Sequence, residues 1–336
     1  MKALLDVNVS LKRVFLRADL DVPVEKTQVL ESATRLHNLR DTVGYLLEHS
    51  VNQIIIAGHI DRPEKPDPAL STKQLLGPLK KILGQDIAFK DNFESNAEGK
   101  VVLFENLRFW SGETACEEDF AKKLSGMADV YVNEAFGNCH RNHASMIGVP
   151  KLLPHAAGVH LEKEVEVLTH LLKNPQRPFV AIVGGAKVET KIPVIENSAK
   201  VADWVLIGGA IAKELKIENG KLKIDESKII VANSEVSGND IDSKSIDKFK
   251  EVISTAKTIV WNGPMGVFEE GFEKGTLAVV EAISQTDAYK VVGGGETTQF
   301  LEDKNLNNKF SFISAGGGAM LEFLAGKELL ALKELE

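Results

Sequence analysis

Five times in the second half of the chain a short apolar, largely β-branched run stops at glycine: FVAIVGG at 179–185, WVLIGG at 204–209, TIVWNGP at 258–264, VVGGG at 291–295 and FISAGGG at 312–318. Runs of this length without polar alternation fit strands buried on both faces, as parallel sheets require. Helix-compatible segments separate them, which is the βα alternation of an open parallel sheet. Glycine at a strand's carboxyl end lets a ligand come close to the backbone, and ligands of such sheets sit at that edge. The expectation is a Rossmann-like second half. None of the turns is the GxGxxG of dinucleotide binders, which argues against an oxidoreductase.

The first of these turns carries the most chemistry. Lys187 and Lys191 lie four residues apart and so share one face of the helix that follows Gly184-Gly185, beside the free N–H groups of its first turn. Such a place favours a polyanion such as a nucleotide phosphate chain. Two solvated lysines after an ordinary turn fit this stretch equally well. The turn Gly293, Gly294, Gly295, Glu296, Thr297 puts a carboxylate and a hydroxyl at a helix start, where they cap the helix or offer oxygen to Mg²⁺ beside a phosphate.

The first half alternates strands and helices too. Residues 14–22 read as a strand closed by Pro23, with Arg17, Asp19 and Asp21 on one side; strands at 53–57, 100–104 and 130–133 and helices at 34–49, 71–83 and 117–125 follow. Arginine recurs just past the strands, at Arg62, Arg108 and Arg141, with Arg17 and Arg35 in the first unit. Seven of the chain's arginines precede residue 150, and only Arg177 follows it. The guanidinium fork suits carboxylate and phosphate, so these ends are expected to converge into a basic patch for a small anion. His59, His140 and His143 lie in the same turns, but no carboxylate or cysteine stands at metal-ligand spacing, and hydrogen bonding within the patch is the better reading.

A chain of 336 residues exceeds the usual size of one core, which predicts two domains. The patterned helix at 161–173 and the proline-containing turn at 174–178 mark the boundary. The domain expectation is 1–158, a connecting helix at 159–174, a second lobe at 175–322 and a tail at 323–336. A net charge of −8 disfavours nucleic acid or an anionic membrane as a general partner. No apolar run approaches a membrane span and Asp6 interrupts any signal-type segment, so a cytoplasmic protein is expected. Cys116 and Cys139 follow no metal spacing and are read as reduced thiols.

Taken in order, RADLDVP, TRL, GHIDRP, ENLRF, NEAFGNCHRNHAS, GGAKVETK, WNGPMGVFE, GGGETT and SAGGGAMLEFLAGK resemble the phosphoglycerate kinase family over nearly the whole chain. The resemblance implies an α/β fold of two Rossmann-like lobes with mainly parallel sheets, joined by a hinge helix, with the chain end returning to the first lobe. It implies 3-phosphoglycerate on the first lobe, at Asp19, Asp21, Arg35, His59, Arg62, Arg108 and Arg141. It implies ATP or ADP with Mg²⁺ on the second, with Lys187, Lys191, Gly293, Gly294, Gly295, Glu296 and Thr297 at the phosphates, Glu269 at the ribose and Glu296 at the metal. Arg35, Lys187 and Lys191 resemble the family's stabilisers of the transferring phosphoryl group. A monomer that works on small molecules is the implied state.

The chain departs from the family pattern in places. Asp21 stands where the family has Asn, Asp61 where it has Gly, and Glu296 where it has Asp; Ala315 and Met320 replace hydroxyl residues. The segment between Gly209 and Trp261 is markedly shorter than in the family and includes part of the adenine pocket, with Ser237-Gly238 standing in for a missing turn. These departures motivate an alternative, a binding protein of the same fold with impaired catalysis.

Overall fold

Each half of the chain builds one six-stranded, all-parallel sheet, in a computed structural model that describes residues 1–23, 33–95, 97–186, 188–217 and 226–336. The strands of the first are β1 (Arg13–Arg17), β2 (Gln53–Ala57), β3 (Ile87–Lys90), β4 (Val101–Phe104), β5 (Val130–Asn133) and β6 (His155–Ala157), in the order β3-β4-β2-β1-β5-β6. The second contains β7 (Phe179–Val183), β8 (Trp204–Ile207), β9 (Ile229–Val231), β10 (Thr258–Asn262), β11 (Tyr289–Gly293) and β12 (Phe312–Ile313), in the order β12-β11-β10-β7-β8-β9. The unbroken apolar runs predicted this: every residue of β4, β5, β7 and β10 is buried. Three strands escape the sequence pattern. β3, β6 and β9 are short, lie at the sheet margins and carry half-buried residues, so their runs are too brief to register as strands.

Connections run through α1 (Leu39–Glu48), α2 (Leu76–Leu83), α3 (Glu118–Ser125), α4 (Val159–Lys173), α5 (Val188–Val201), α6 (Gly209–Ile217), α7 (Ser243–Ser254), α8 (Lys274–Ser284), α9 (Gly295–Asp303) and α10 (Gly317–Leu324). The helix expected at 34–49 is broken at Asn38, and the first strand ends at Arg17, so Asp19 and Asp21 lie on the loop beyond it. In each sheet the chain reverses its direction of growth once, between β1 and β5 and between β7 and β10. Register aligns Arg17 with Ala57 and Asn133, and Asn262 with Val183 and Gly293. The loops that follow therefore share an edge at the switch point, where open α/β sheets bind ligands.

Two compact units result, Met1–Val165 with Glu328–Glu336, and Glu166–Lys327. The chain end joins the first unit: the Lys2 N–H donates to the Leu335 carbonyl at 2.8 Å and the Ala331 N–H to that of Cys139 at 2.9 Å.

The start of α4 is locked by a buried carboxylate. Glu134 accepts from the His160 N–H at 2.7 Å and from the Thr42 hydroxyl at 3.0 Å, and Thr42 Oγ1 in turn accepts from the Val159 N–H at 2.8 Å. These bonds satisfy N–H groups that a helix leaves open at its start. Gly158 is required there, because a Cβ would lie 1.3 Å from Glu134 Oε2. Burial pushes the Glu134 carboxyl up to about 7, against the pull of His160 and the bonds it accepts. Burial lowers the His160 ring's affinity for protons, but the Glu164 carboxylate 3.2 Å away and Glu134 outweigh it and raise its pKa. Between the ordinary glutamate value, about 4.3, and about 7, the folded protein holds a Glu134 proton that the unfolded chain has lost. Stability from this group therefore falls as pH rises through that window. Glu134→Gln is expected to remove a pH-dependent loss on the order of 3 kcal/mol between pH 4.5 and 7.5. Urea unfolding of the first unit at several pH values, followed by hydrogen exchange of β1 and β5, checks this; parallel curves for the two proteins would refute it.

Candidate active site

At the edge of the first sheet the loops after β1, β2, β4 and β5 gather cations around one imidazole. His59 is buried, and its ring is held far below the ordinary histidine value, first by burial and then by Arg17, Arg108, His143 and Arg141. His143 is depressed to about 3 by burial and then by Arg17, Arg108, Arg141 and His140, so both rings are neutral at physiological pH. Arg108 is buried too and is lowered to about 10, by burial first and then by Arg141, with Asp21 opposing and Arg17 and Arg62 adding to the fall. Desolvation and mutual repulsion together mark a place where positive groups are held close without enough anion of their own.

The acidic residues organise this edge. Arg35 Nε lies 3.7 Å from Asp19 Oδ2, and its guanidinium donates to the Asp21 carbonyl. Asp21 Oδ1 accepts from the Asp61 N–H at 2.8 Å, while Oδ2 stands 3.9 Å from His59 Nε2. Asp61 adopts a left-handed φ of 54°, its carboxylate accepts from the Arg62 N–H at 2.8 Å, and its carbonyl accepts from Arg108. The two aspartates that interrupt the family pattern thus tie the β1 and β2 loops together. The Asp21 carboxylate faces the cationic cluster, where its charge favours the ionised form of Arg108, a position open to it because the strand has already ended. Asp19, Asp21, His59, Arg62, Arg108 and Arg141 are carried on these neighbouring loops, and Arg35 sits on the short helix Thr34–His37. Glu113 and Ser145, which hold Arg17, gave no signal: one sits in a charged helical stretch and the other follows a histidine-rich turn.

At the second sheet's edge, backbone replaces side chain. Gly184 and Gly263 meet so closely that a Cβ on Gly263, whose φ is 97°, would stand 2.1 Å from the Gly184 carbonyl oxygen, and one on Gly184 would stand 2.3 Å from that of Pro264. The Gly184 N–H donates to the Asn262 carbonyl at 2.9 Å, and the Gly185 N–H to that of Pro264 at 2.9 Å. The turn is braced from α9, where Thr297 Oγ1 accepts from the Gly263 N–H at 2.8 Å. Thr297 is thereby turned inward and buried, a support for the loop as well as a residue of its lining.

Lys191, on α5, is 6 % exposed, and its ammonium donates to the Asn262 side-chain oxygen. Burial lowers its pKa to about 8, partly offset by the Glu296 carboxylate. Lys187 falls outside the described residues. Lys191, Asn262, Gly294, Gly295, Glu296 and Thr297 line a cavity of about 490 Å³, and Gly293 ends the strand that leads into it. A second cavity of about 550 Å³ shares Gly185, Ala186 and Glu296 with the first and extends to Lys213, Gly238, Asn239 and Glu269. Ser237-Gly238 does form a turn there, with Gly238 at φ 79° and an antiparallel bridge between Ser234 and Ile241. Among the described residues no three His, Cys, Asp or Glu side chains cluster as a metal site. Glu296 at the start of α9 fits a cation held jointly with phosphate oxygens, since Mg²⁺ on a nucleotide needs only one or two protein carboxylates.

A cationic edge and a glycine-lined edge beside a buried lysine, each at the switch point of a parallel sheet, define a phosphotransferase. The phosphoglycerate kinase family model matches residues 4–236 and 218–327, two stretches that overlap within the shortened segment. Phosphoglycerate kinases of Aquifex aeolicus and Finegoldia magna are 38% and 37% identical, over 100% and 98% of this chain and 98% and 97% of their own. The solved phosphoglycerate kinases of Pyrococcus horikoshii and Coxiella burnetii superpose with TM-scores of 0.83 and 0.81 at 29% and 30% identity, covering 100% and 99% of this chain and 98% of each of theirs. The chain belongs to the phosphoglycerate kinase family, and its activity is the glycolytic transfer of a phosphoryl group between 1,3-bisphosphoglycerate and ADP. These relatives give no support to a catalytically impaired reading.

The glycine contact makes its own prediction. Gly263→Ala is expected to destabilise the second unit by about 3 kcal/mol or more and to lower its Tm by roughly 6–12 °C. Calorimetry checks this, and a Tm within 2 °C of wild type would contradict it.

Proposed function

We propose that the cationic edge of the first unit holds 3-phosphoglycerate through Asp19, Asp21, Arg35, His59, Arg62, Arg108 and Arg141. The observation that carries this is the convergence of Arg17, Arg108 and Arg141 on a neutral, buried His59. Guanidinium forks supply paired donors for phosphate and carboxylate. The Asp19 carboxylate and the Asp21 backbone carbonyl orient the Arg35 fork.

The second unit, in this reading, takes the nucleotide. Lys187 and Lys191 contact its phosphates, with the N–H groups of the turn Gly293, Gly294, Gly295, Glu296, Thr297, while Glu269 meets the ribose in the adjoining cavity. Glu296 is the residue that holds Mg²⁺, which when bound neutralises phosphate charge. The acceptor is a carboxylate with a pKa of about 3.5, ionised at neutral pH, so no general base is needed. Its oxygen attacks the γ-phosphorus, the bond to the bridging oxygen breaks, and ADP leaves with the electron pair. Arg35, Lys187 and Lys191 stabilise the charge on the moving group, and in-line transfer needs alignment and exclusion of water. Closure about α4 is the proposed motion that brings donor and acceptor together. A monomer in the cytoplasm fits an enzyme whose substrates are small and soluble; no described helix is long and apolar enough to cross a membrane.

A coupled assay with 3-phosphoglycerate and MgATP is expected to show turnover, and its absence with either Mg²⁺ or Mn²⁺ would overturn the reading. Running it with GTP beside ATP measures how the shortened pocket discriminates between bases. Lys191→Ala is expected to lower kcat about 100-fold or more, as removal of one transition-state charge contact does. A near-normal kcat would assign that role to Lys187 alone.

A further inference from the structure

Arg17 is 0 % exposed, yet the transfer chemistry as described gives it no substrate contact. Each of its three nitrogens makes one bond: Nε to Ser145 Oγ at 2.8 Å, Nη1 to the Ala18 carbonyl at 2.5 Å, and Nη2 to His59 Nδ1 at 3.2 Å. Ser145 is fixed from the far side by the buried Glu113, which accepts from its hydroxyl at 2.5 Å and from its N–H at 2.9 Å. The single hydroxyl proton therefore goes to Glu113, and a lone pair of Ser145 Oγ is left for Arg17. The buried positive and negative charges are joined through one oxygen, which gives the run of bonds a direction.

A guanidinium has no acceptor and does not lose its proton in proteins. Whatever atom meets Nη2 must offer a lone pair, so His59 Nδ1 is unprotonated and the ring proton sits on Nε2. That nitrogen faces Asp21 Oδ2, 3.9 Å away on a side chain 43% exposed, which is the open side of the patch. We propose that Arg17, held by Ser145 and Glu113, is a positioning residue that fixes His59 as the neutral Nε2–H tautomer, a hydrogen-bond donor to an oxyanion of the three-carbon phosphorylated acid. The proposal rests on the assignment of His59 to the substrate patch. The groups around the ring are Arg17 from β1, Asp21 from the loop after it, Arg108 from the loop after β4, and Arg141 and His143 from the loop after β5. The arginines oppose a second proton on the ring, while Asp21, 3.9 Å away, favours one. His59 thus contributes a donor that does not titrate between pH 6 and 8, in a patch where an imidazolium would have made substrate capture pH-dependent.

Long-range ¹H–¹⁵N correlation on histidine-labelled protein reads the tautomer directly, with His59 identified by the signals lost in His59→Gln. The expected result is one protonated Nε2 and one lone-pair Nδ1, constant from pH 6 to 8. Replacing both buried charges together, Arg17→Met with Glu113→Gln, is expected to yield mixed tautomers and to raise KM for 3-phosphoglycerate about tenfold, with a smaller change in kcat. A wild-type ring protonated on Nδ1, or on both nitrogens, overturns the proposal, as does an unchanged pattern in the double variant. Saturation with 3-phosphoglycerate is expected to shift the Nε2 signal. A signal that does not move removes the substrate assignment itself, a failure distinct from that of the Arg17 relay.

Discussion

Burying a cation with too little negative charge beside it is among the least favourable arrangements in a protein, and both sheets of this chain end in one. In the first unit Arg17 and Arg108 lie out of solvent, with Arg141 close enough to depress Arg108 and two histidines. In the second, Lys191 is buried against a neutral amide, with the Glu296 carboxylate too weak an influence to restore its ordinary pKa. Each group is held in place by acceptors that fix its direction without cancelling its charge. In the function proposed above, a polyanion entering either edge completes an interaction the fold leaves unfinished.

The scaffold tolerates this because the rest of it is conventional. Parallel strands buried on both faces supply the core, and aligned strand ends bring distant loops to one edge without long excursions. The two edges solve the same electrostatic task differently. The first uses side chains with forked donors, suited to a small acid whose two anionic ends must be told apart. The second uses the backbone, with glycines so close that no side chain fits between Gly184 and Gly263. One buried lysine then supplies the charge that backbone cannot.

Much of this was legible in the chain. The strand cores, the glycine turns and the arginines past the strand ends come directly from residue type and period, since parallel strands must be apolar throughout. What escaped reading has definable reasons. β3, β6 and β9 are only three or four residues long and lie at or near the sheet margins, so even the apolar Ile229–Val231 is too short a run to stand out. The Glu134 and Gly158 lock on α4 joins residues more than twenty positions apart, and Glu113 reaches Arg17 through Ser145 from two other segments. In the sequence Asp21 and Asp61 stand out only as departures from the family pattern. Their backbone bonds show them tying two loops, a role invisible without the third dimension. The turn at Gly238 was legible from its glycine, which takes a left-handed φ of 79°.

The central claim, that cations are stored desolvated for an incoming phosphate, is tested most directly by proton linkage at Lys191. With its pKa at about 8, half of the Lys191 side chains are neutral at pH 8, and a bound polyphosphate must recharge them. Calorimetry of ADP binding at pH 8, in buffers of different ionisation enthalpy, is predicted to show uptake of about 0.5 proton per nucleotide, abolished in Lys191→Arg. Binding with no proton uptake, and an affinity constant from pH 7 to 9, would contradict the account.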